Sequence, residues 1–289
     1  MFLSISIFNS VVRLLSVCLS CIACTSLSAT ELPPHGSEAR LDEPTNYTHN
    51  IVGGQNADPR KYKFHVVVFN YIYLCGGTIL DAQTVLTAAH CVYNRTGFVA
   101  FAAVTDLFAL GDVQVRNEQM RVVERIITHP AYINDIYNLP LESDIAILKL
   151  QTPFEFNRHV GDPVVIPNLN LEKRAKQIGD CWAIGFGLIM QSPNQLPRRL
   201  QEIDVEIRSQ HHCRRLFTTL NNPWNSKLMC INEVGKNVCA GDSGGPLVCF
   251  VNQRPVQMGI LSFGSLPCTD GRGAFVRAKS FRKWIRQHV

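Results

Sequence analysis

Eight cysteines, Cys75, Cys91, Cys181, Cys213, Cys230, Cys239, Cys249 and Cys268, punctuate the chain beyond residue 50. Any fold must bring them together, as disulfides or around metal, and the compartment decides which. Residues 14–29, LLSVCLSCIACTSLSA, are apolar and small, follow Arg13, and end on small residues before the polar TELPPHG. That is the pattern of a secretory signal peptide over residues 1–29, cleaved near Ser28 or Ala29. Cys18, Cys21 and Cys24 fall inside it. The run is too short and too rich in Ser and Cys for a membrane span, and no later segment is long and apolar enough, so no span is expected in the mature form. An even set of eight cysteines in a secreted, extracellular chain predicts four disulfides. These eight lack paired CxxC units, so no metal site is predicted. The residues alone do not choose the pairing. Two glycosylation sequons, at Asn46 (NYT) and Asn94 (NRT), agree with export.

Residues 30–50 contain Pro, Thr and His, carry Glu31, Glu38, Asp42 and Glu43, and show no periodicity. They read as a pro-segment. From Ile51 onward short β-rich runs alternate with turns, as in HVVVF at 65–69, VLTAA at 85–89 and VQMGIL at 256–261. Ile203-Asp204-Val205-Glu206-Ile207 alternates as a half-buried strand. A helical period stands out only near Ser209–Leu216 and in the terminal RAKSFRKWIRQHV. An all-β segment over 51–289 is too large for one small barrel. Two barrels are expected, about 51–165 and 166–289, joined through the irregular stretch 159–180.

Removing residues 1–50 takes away Arg13, Arg40 and the four carboxylates named above, raising the formal charge from +5 to +7. Arg277, Lys279, Arg282, Lys283 and Arg286 crowd the C-terminal helix. A solvated helix face accounts for them, with Phe281, Trp284 and Ile285 turned inward, and a polyanion-binding patch is the alternative. No nucleic-acid motif is present, and nucleic acid is not an expected partner.

Three motifs carry chemistry: Thr87-Ala88-Ala89-His90-Cys91, Ser143-Asp144-Ile145-Ala146-Ile147-Leu148, and Gly241-Asp242-Ser243-Gly244-Gly245-Pro246. Each alone is weak, since a histidine beside a cysteine, an aspartate before a strand and DSG in a turn are all ordinary. In this order, with this cysteine count, the segment from Ile51 to Val289 resembles the chymotrypsin-like serine endopeptidases. The resemblance implies two six-stranded antiparallel Greek-key barrels with a C-terminal helix. It also implies that His90, Asp144 and Ser243 are catalytic, and that the N–H groups of Gly241 and Ser243 form an oxyanion hole. It pairs Cys75–Cys91, Cys181–Cys249, Cys213–Cys230 and Cys239–Cys268. A serine hydroxyl is a poor nucleophile without a base, so the chemistry requires these residue types together. No cofactor is needed. Protein or peptide substrates, an activating protease and protein inhibitors are the expected partners.

The resemblance also places Asn237 at the base of the primary specificity pocket, with Ser262, Phe263, Gly264 and Gly273 as walls. Trypsin-like members carry an aspartate at the base. A neutral asparagine disfavours substrate Arg or Lys, because a buried cation without a counter-charge costs several kcal/mol. Glycines in the walls leave room for a large uncharged side chain, and the Asn237 amide suits a polar tip such as Tyr, His, Gln or Asn. Asp270, in the entrance loop, is the one residue that would restore tryptic specificity. The loop NDIYNLPLES before Asp144, with Leu141 closest, is expected to overhang the cleft. Gly111–Glu118 lacks the carboxylates of a calcium loop.

Ile51-Val52-Gly53-Gly54 matches the new N-terminus of an activated member, whose α-amino group pairs with the aspartate before the nucleophile, here Asp242. Asn50 stands where relatives carry Arg or Lys, which predicts processing at Asn50–Ile51 by an enzyme tolerant of asparagine. The leading expectation is a secreted serine endopeptidase made as a zymogen. The competing reading is a catalytically idle, basic binding protein on the same fold, against which the complete set of motifs argues.

Overall fold

The computed structural model describes residues 53–111, 117–134, 142–188, 196–218, 224–265 and 268–289. Strands β2 (His65–Phe69), β3 (Leu74–Asp81), β4 (Thr84–Thr87), β5 (Val99–Ala102), β6 (Gln119–Thr128) and β7 (Ala146–Leu150) close into a barrel in the order β2-β3-β4-β7-β6-β5. Every pairing in it is antiparallel. Val66, Val68, Ile79, Val85, Leu86, Ile147 and Leu148 are fully buried. β2 is buried on both faces: Val66 and Val68 are fully buried on one, while on the other His65 meets the Phe186 ring at 5.9 Å.

The second half contains β8 (Cys181–Gly185), β9 (Gln201–Asp204), β10 (Leu228–Asn232), β11 (Pro246–Val251), β12 (Arg254–Gly264) and β13 (Arg272–Arg277). They run β9-β8-β11-β12-β13-β10, and the short strand β1 (Gln55–Asn56) adds a seventh at the β9 edge. Its core is a cluster that includes Met229, Ile231, Leu247, Met258, Leu261 and Phe275. Beyond β9 the chain turns back to β10, where the Arg208 N–H donates to the Cys230 carbonyl at 3.0 Å. β1 covers an exposed strand edge, with the Gln55 amide donating to the Glu202 carboxylate at 2.8 Å and the Ala57 N–H to the Leu200 carbonyl at 2.8 Å.

The stretch 159–180, expected to be irregular, contains helix α2 (Leu169–Ile178). The Asn168 side chain caps its first turn by accepting from the Leu171 N–H, and Gly179 ends it in the left-handed region at φ 77°. Its inward side holds Leu171 and Ala175 together with a buried charge, Glu172. Glu172 is buried because Arg277 holds both its oxygens, at 2.5 and 2.7 Å. The other helices are α1 (Ala89–Val92), α3 (Gln210–Leu216) and, after a 3-10 turn at Ala278–Phe281, the C-terminal α4 (Arg282–Arg286). Four disulfides join Cys75–Cys91, Cys181–Cys249, Cys213–Cys230 and Cys239–Cys268, the pairs the resemblance implies.

Candidate active site

The β4–β7 ladder positions the first two residues. Thr87 pairs with Ala146, so His90, three residues after Thr87, and Asp144, two residues before Ala146, leave the same end of an antiparallel ladder. The Cys75–Cys91 disulfide ties the α1 turn to β3. Asp144 is fully buried, and both of its oxygens are engaged. Oδ1 accepts the His90 backbone N–H at 2.7 Å, and Oδ2 lies 2.7 Å from His90 Nδ1. With Asp144 ionised, Nδ1 carries the proton, which leaves the lone pair of the neutral ring on Nε2. Burial disfavours the imidazolium of His90, but the charge and hydrogen bond of Asp144 outweigh it, so the His90 pKa lies above its usual 6.5. Arg95 opposes that rise slightly.

Ser243 sits in the turn before β11. Its carbonyl accepts the Gly76 N–H from β3 at 2.7 Å, and the Gly76 carbonyl accepts from Thr87 Oγ1 at 2.8 Å. Gly244 follows at φ 77°, where an added Cβ would fall 2.2 Å from Thr87 Oγ1 and 2.6 Å from the Gly76 carbonyl oxygen. Only glycine permits this approach. The serine turn is thereby docked on the strands whose continuation carries His90. Among the described residues, no protein acceptor takes the N–H of Gly241 or of Ser243, and the Ser243 hydroxyl makes no hydrogen bond. Cys75, His90 and Cys91 form the one group with metal-ligand proximity among the described residues, but the two sulfurs are bonded to each other and offer no thiolate.

Asp242 is buried and accepts the N–H groups of Gly187 at 2.6 Å and Cys239 at 2.9 Å. Burial pushes its pKa up to about 6 against these hydrogen bonds. No cation pairs with it among the described residues. Asn50 and Ile51 lie outside those residues, as do the signal and pro-segments, Asn46 and Leu141. Gly53 lies against the carbonyl of Gly235, two residues before Asn237. Asn94 is described, is exposed and adopts φ 52°.

Asn237 is fully buried; its Oδ1 accepts the Val238 N–H at 2.9 Å, while Nδ2 has no partner. Ser262, on the segment expected to form the pocket wall, donates its hydroxyl to Asp144 Oδ2 at 2.6 Å. A Cβ on Gly273 would come within 2.9 Å of Val238 Cγ2 and 3.1 Å of Ile231 Cγ1. Beside Gly264, an added Cβ would meet the Arg272 carbonyl oxygen at 3.3 Å. Asp270 is not a free carboxylate. It pairs with the Arg272 guanidinium, Nε at 2.7 Å, and accepts from the Arg272 N–H and the Ser265 hydroxyl. A charge balanced in this way is a poor receptor for a substrate cation.

The family model described as Trypsin matches residues 51–285. The chain belongs to the trypsin family. It is a serine endopeptidase of the trypsin/chymotrypsin-like class. Among curated proteins it is 30% identical to Serine protease 28 of Mus musculus, over 96% of this chain and 99% of that protein. It is also 30% identical to Kallikrein 1-related peptidase b21 of Mus musculus, over 86% of this chain and 94% of that one. Kallikrein 1-related peptidase b27 of the same organism is 31% identical over 82% and 88% of the two chains. Among the described residues, no helix of this trypsin-family chain is long and apolar enough to cross a membrane.

Proposed function

We propose that the chain is exported as a zymogen and, once cut at Asn50–Ile51, hydrolyses peptide bonds after large uncharged residues through an acyl-enzyme. Ser243 Oγ attacks the scissile carbonyl carbon while its proton passes to His90 Nε2. Asp144 stabilises the imidazolium, and the N–H groups of Gly241 and Ser243 receive the oxyanion. His90 then protonates the leaving amine, and water, deprotonated by the same ring, releases the acyl group and restores the serine. The observation that carries this reading is Asp144: a fully buried carboxylate whose three donors are two groups of His90 and the Ser262 hydroxyl. The N–H groups at 241 and 243, to which no described protein acceptor is bonded, are available to receive the oxyanion.

The specificity reading rests on Asn237 Nδ2, a buried donor with no partner. An unpaired buried donor costs about 1–3 kcal/mol, which a substrate acceptor at the pocket floor would recover. Tyrosine or glutamine before the scissile bond supplies that acceptor; arginine and lysine supply only donors and a charge. Once cut, the chain would present the Ile51 α-amino group as the missing counter-charge for Asp242, with the sequons at Asn46 and Asn94 glycosylated during export. A peptide-library profile of the processed protein tests the reading. Cleavage after Tyr or Gln is expected, and a dominant preference for Arg or Lys would overturn it.

A further inference from the structure

The exposed charge of the chain is not evenly spread. Segment 169–178 holds Lys173, Arg174 and Lys176 against Glu172 alone, and segment 277–289 holds five cations and no acid. The two segments are neighbours. Arg277, at the end of β13, grips Glu172 of α2 through Nε at 2.5 Å and Nη2 at 2.7 Å, Lys279 approaches the same carboxylate at 4.0 Å, and Arg282 Nε donates to the Ile166 carbonyl at 3.3 Å, just before α2. Glu172 is therefore consumed from within, and its single charge cannot balance the remainder. Lys173, Arg174, Lys283 and Arg286 are exposed, and among the described residues none of them pairs with a carboxylate; Arg174 reaches only the Asn252 side-chain oxygen, at 3.3 Å.

The cations also feel one another. Lys176 is held below the usual lysine range, first by burial; Glu172 pulls it back up, but Arg277 and Lys279 push it further down. Where cations of α2 and of the segment leading into α4 repel one another, an anion relieves strain already present. We propose that the faces of α2 and α4 form one docking surface for a linear sulfated polysaccharide. The patch is elongated, since a ten-residue helix alone spans about 15 Å, which suits a chain of repeated anions better than a single phosphate. Asn170, Gln177 and Gln287 intersperse the cations with uncharged hydrogen-bonding groups, all exposed. A membrane surface fits less well, because the one large aromatic of α4, Trp284, packs against His129 at 5.1 Å and His288 at 5.0 Å instead of projecting outward. The surface rests on the export reading for its encounter with such a polymer, but binding is tested on purified protein, independently of secretion and of peptidase activity.

The test uses the Ser243→Ala protein, immobilised heparin and a salt gradient. Retention at physiological ionic strength is expected. The Lys173→Gln/Arg174→Gln and Lys283→Gln/Arg286→Gln variants should each elute earlier and bind about 30-fold more weakly in solution. An Arg198→Gln/Arg199→Gln variant, with the same loss of charge at other exposed positions, should bind as the parent does. Matching thermal melts exclude unfolding as the cause. Equal weakening in the control variant would mean bulk charge and overturn the proposal. So would unchanged binding in both helix variants, no retention at physiological salt, or tighter binding to phosphatidylserine vesicles than to heparin.

Discussion

Asp242 offers the most quantitative prediction. In the uncut chain its carboxyl is buried with two N–H donors and no described cation, and its pKa is pushed up to about 6 from an ordinary 3.8. About two pKa units correspond to roughly 3 kcal/mol of penalty on the ionised form at neutral pH. The sign follows from proton counting. Between about pH 4 and 6 the folded precursor holds a proton that the unfolded chain has released, so acidification stabilises the precursor, and the full penalty is present above pH 6. A free Ile51 α-amino group reverses this: the pair lowers the Asp242 pKa, and stability is then lost as pH falls. The experiment compares urea unfolding of the Ser243→Ala precursor with the same protein cut to begin at Ile51, between pH 7.5 and 4.5, each with and without Asp242→Asn. Subtracting the Asp242→Asn series isolates this carboxyl from all other titrating groups. Between pH 7.5 and 4.5 the precursor should gain about 2 kcal/mol through Asp242, while the cut form should show no such gain, because its loss sets in only below about pH 4. Identical pH slopes with and without the substitution would refute the reasoning.

Ser262→Ala removes one of three donors to a buried carboxylate. A hydrogen bond to a charged group is worth about 1.5–3 kcal/mol, so kcat should fall roughly 10- to 100-fold with KM little changed, a split that stopped-flow and steady-state assays can resolve. The pH profile of kcat/KM should fall on the acid side with a midpoint above 6.5, because Asp144 raises His90; a midpoint below 6.5 would contradict that balance. Asn237→Asp should gain cleavage after Arg or Lys and lose cleavage after Tyr, since the carboxylate supplies a counter-charge and removes the donor. A library profile unchanged by the substitution would remove Asn237 from the pocket floor.

The legible parts of this chain are those where chemistry needs particular residues next to one another in sequence. The histidine, aspartate and serine motifs carry their own flanks: Thr87 to hold Gly76, and Gly244 to let Ser243 approach. The barrel and the second sheet were legible because their strands are runs of β-branched residues between turns. Partnerships across the chain were not. Ser262 and Asp144 are 118 positions apart, and nothing local to Ser262 announces that its hydroxyl meets a carboxylate. Asp270 looked free because Arg272, two residues on, reads as an ordinary turn cation until the backbone brings the two together. α2 also depends on such a partnership: Glu172 is buried only because the distant Arg277 balances its charge. β1 is two polar residues, and only the open edge of β9 makes a strand of them.

The central claim is that Ser243, activated by His90 and Asp144, becomes a nucleophile once the chain begins at Ile51. Intact-mass analysis and peptide mapping after reaction with a fluorophosphonate test it most directly. The account predicts one adduct, on Ser243, in the processed protein, with none in the uncut chain and none in the processed Ser243→Ala or His90→Ala variants. A processed chain that stays unlabelled, or that takes the adduct at another residue, would contradict it.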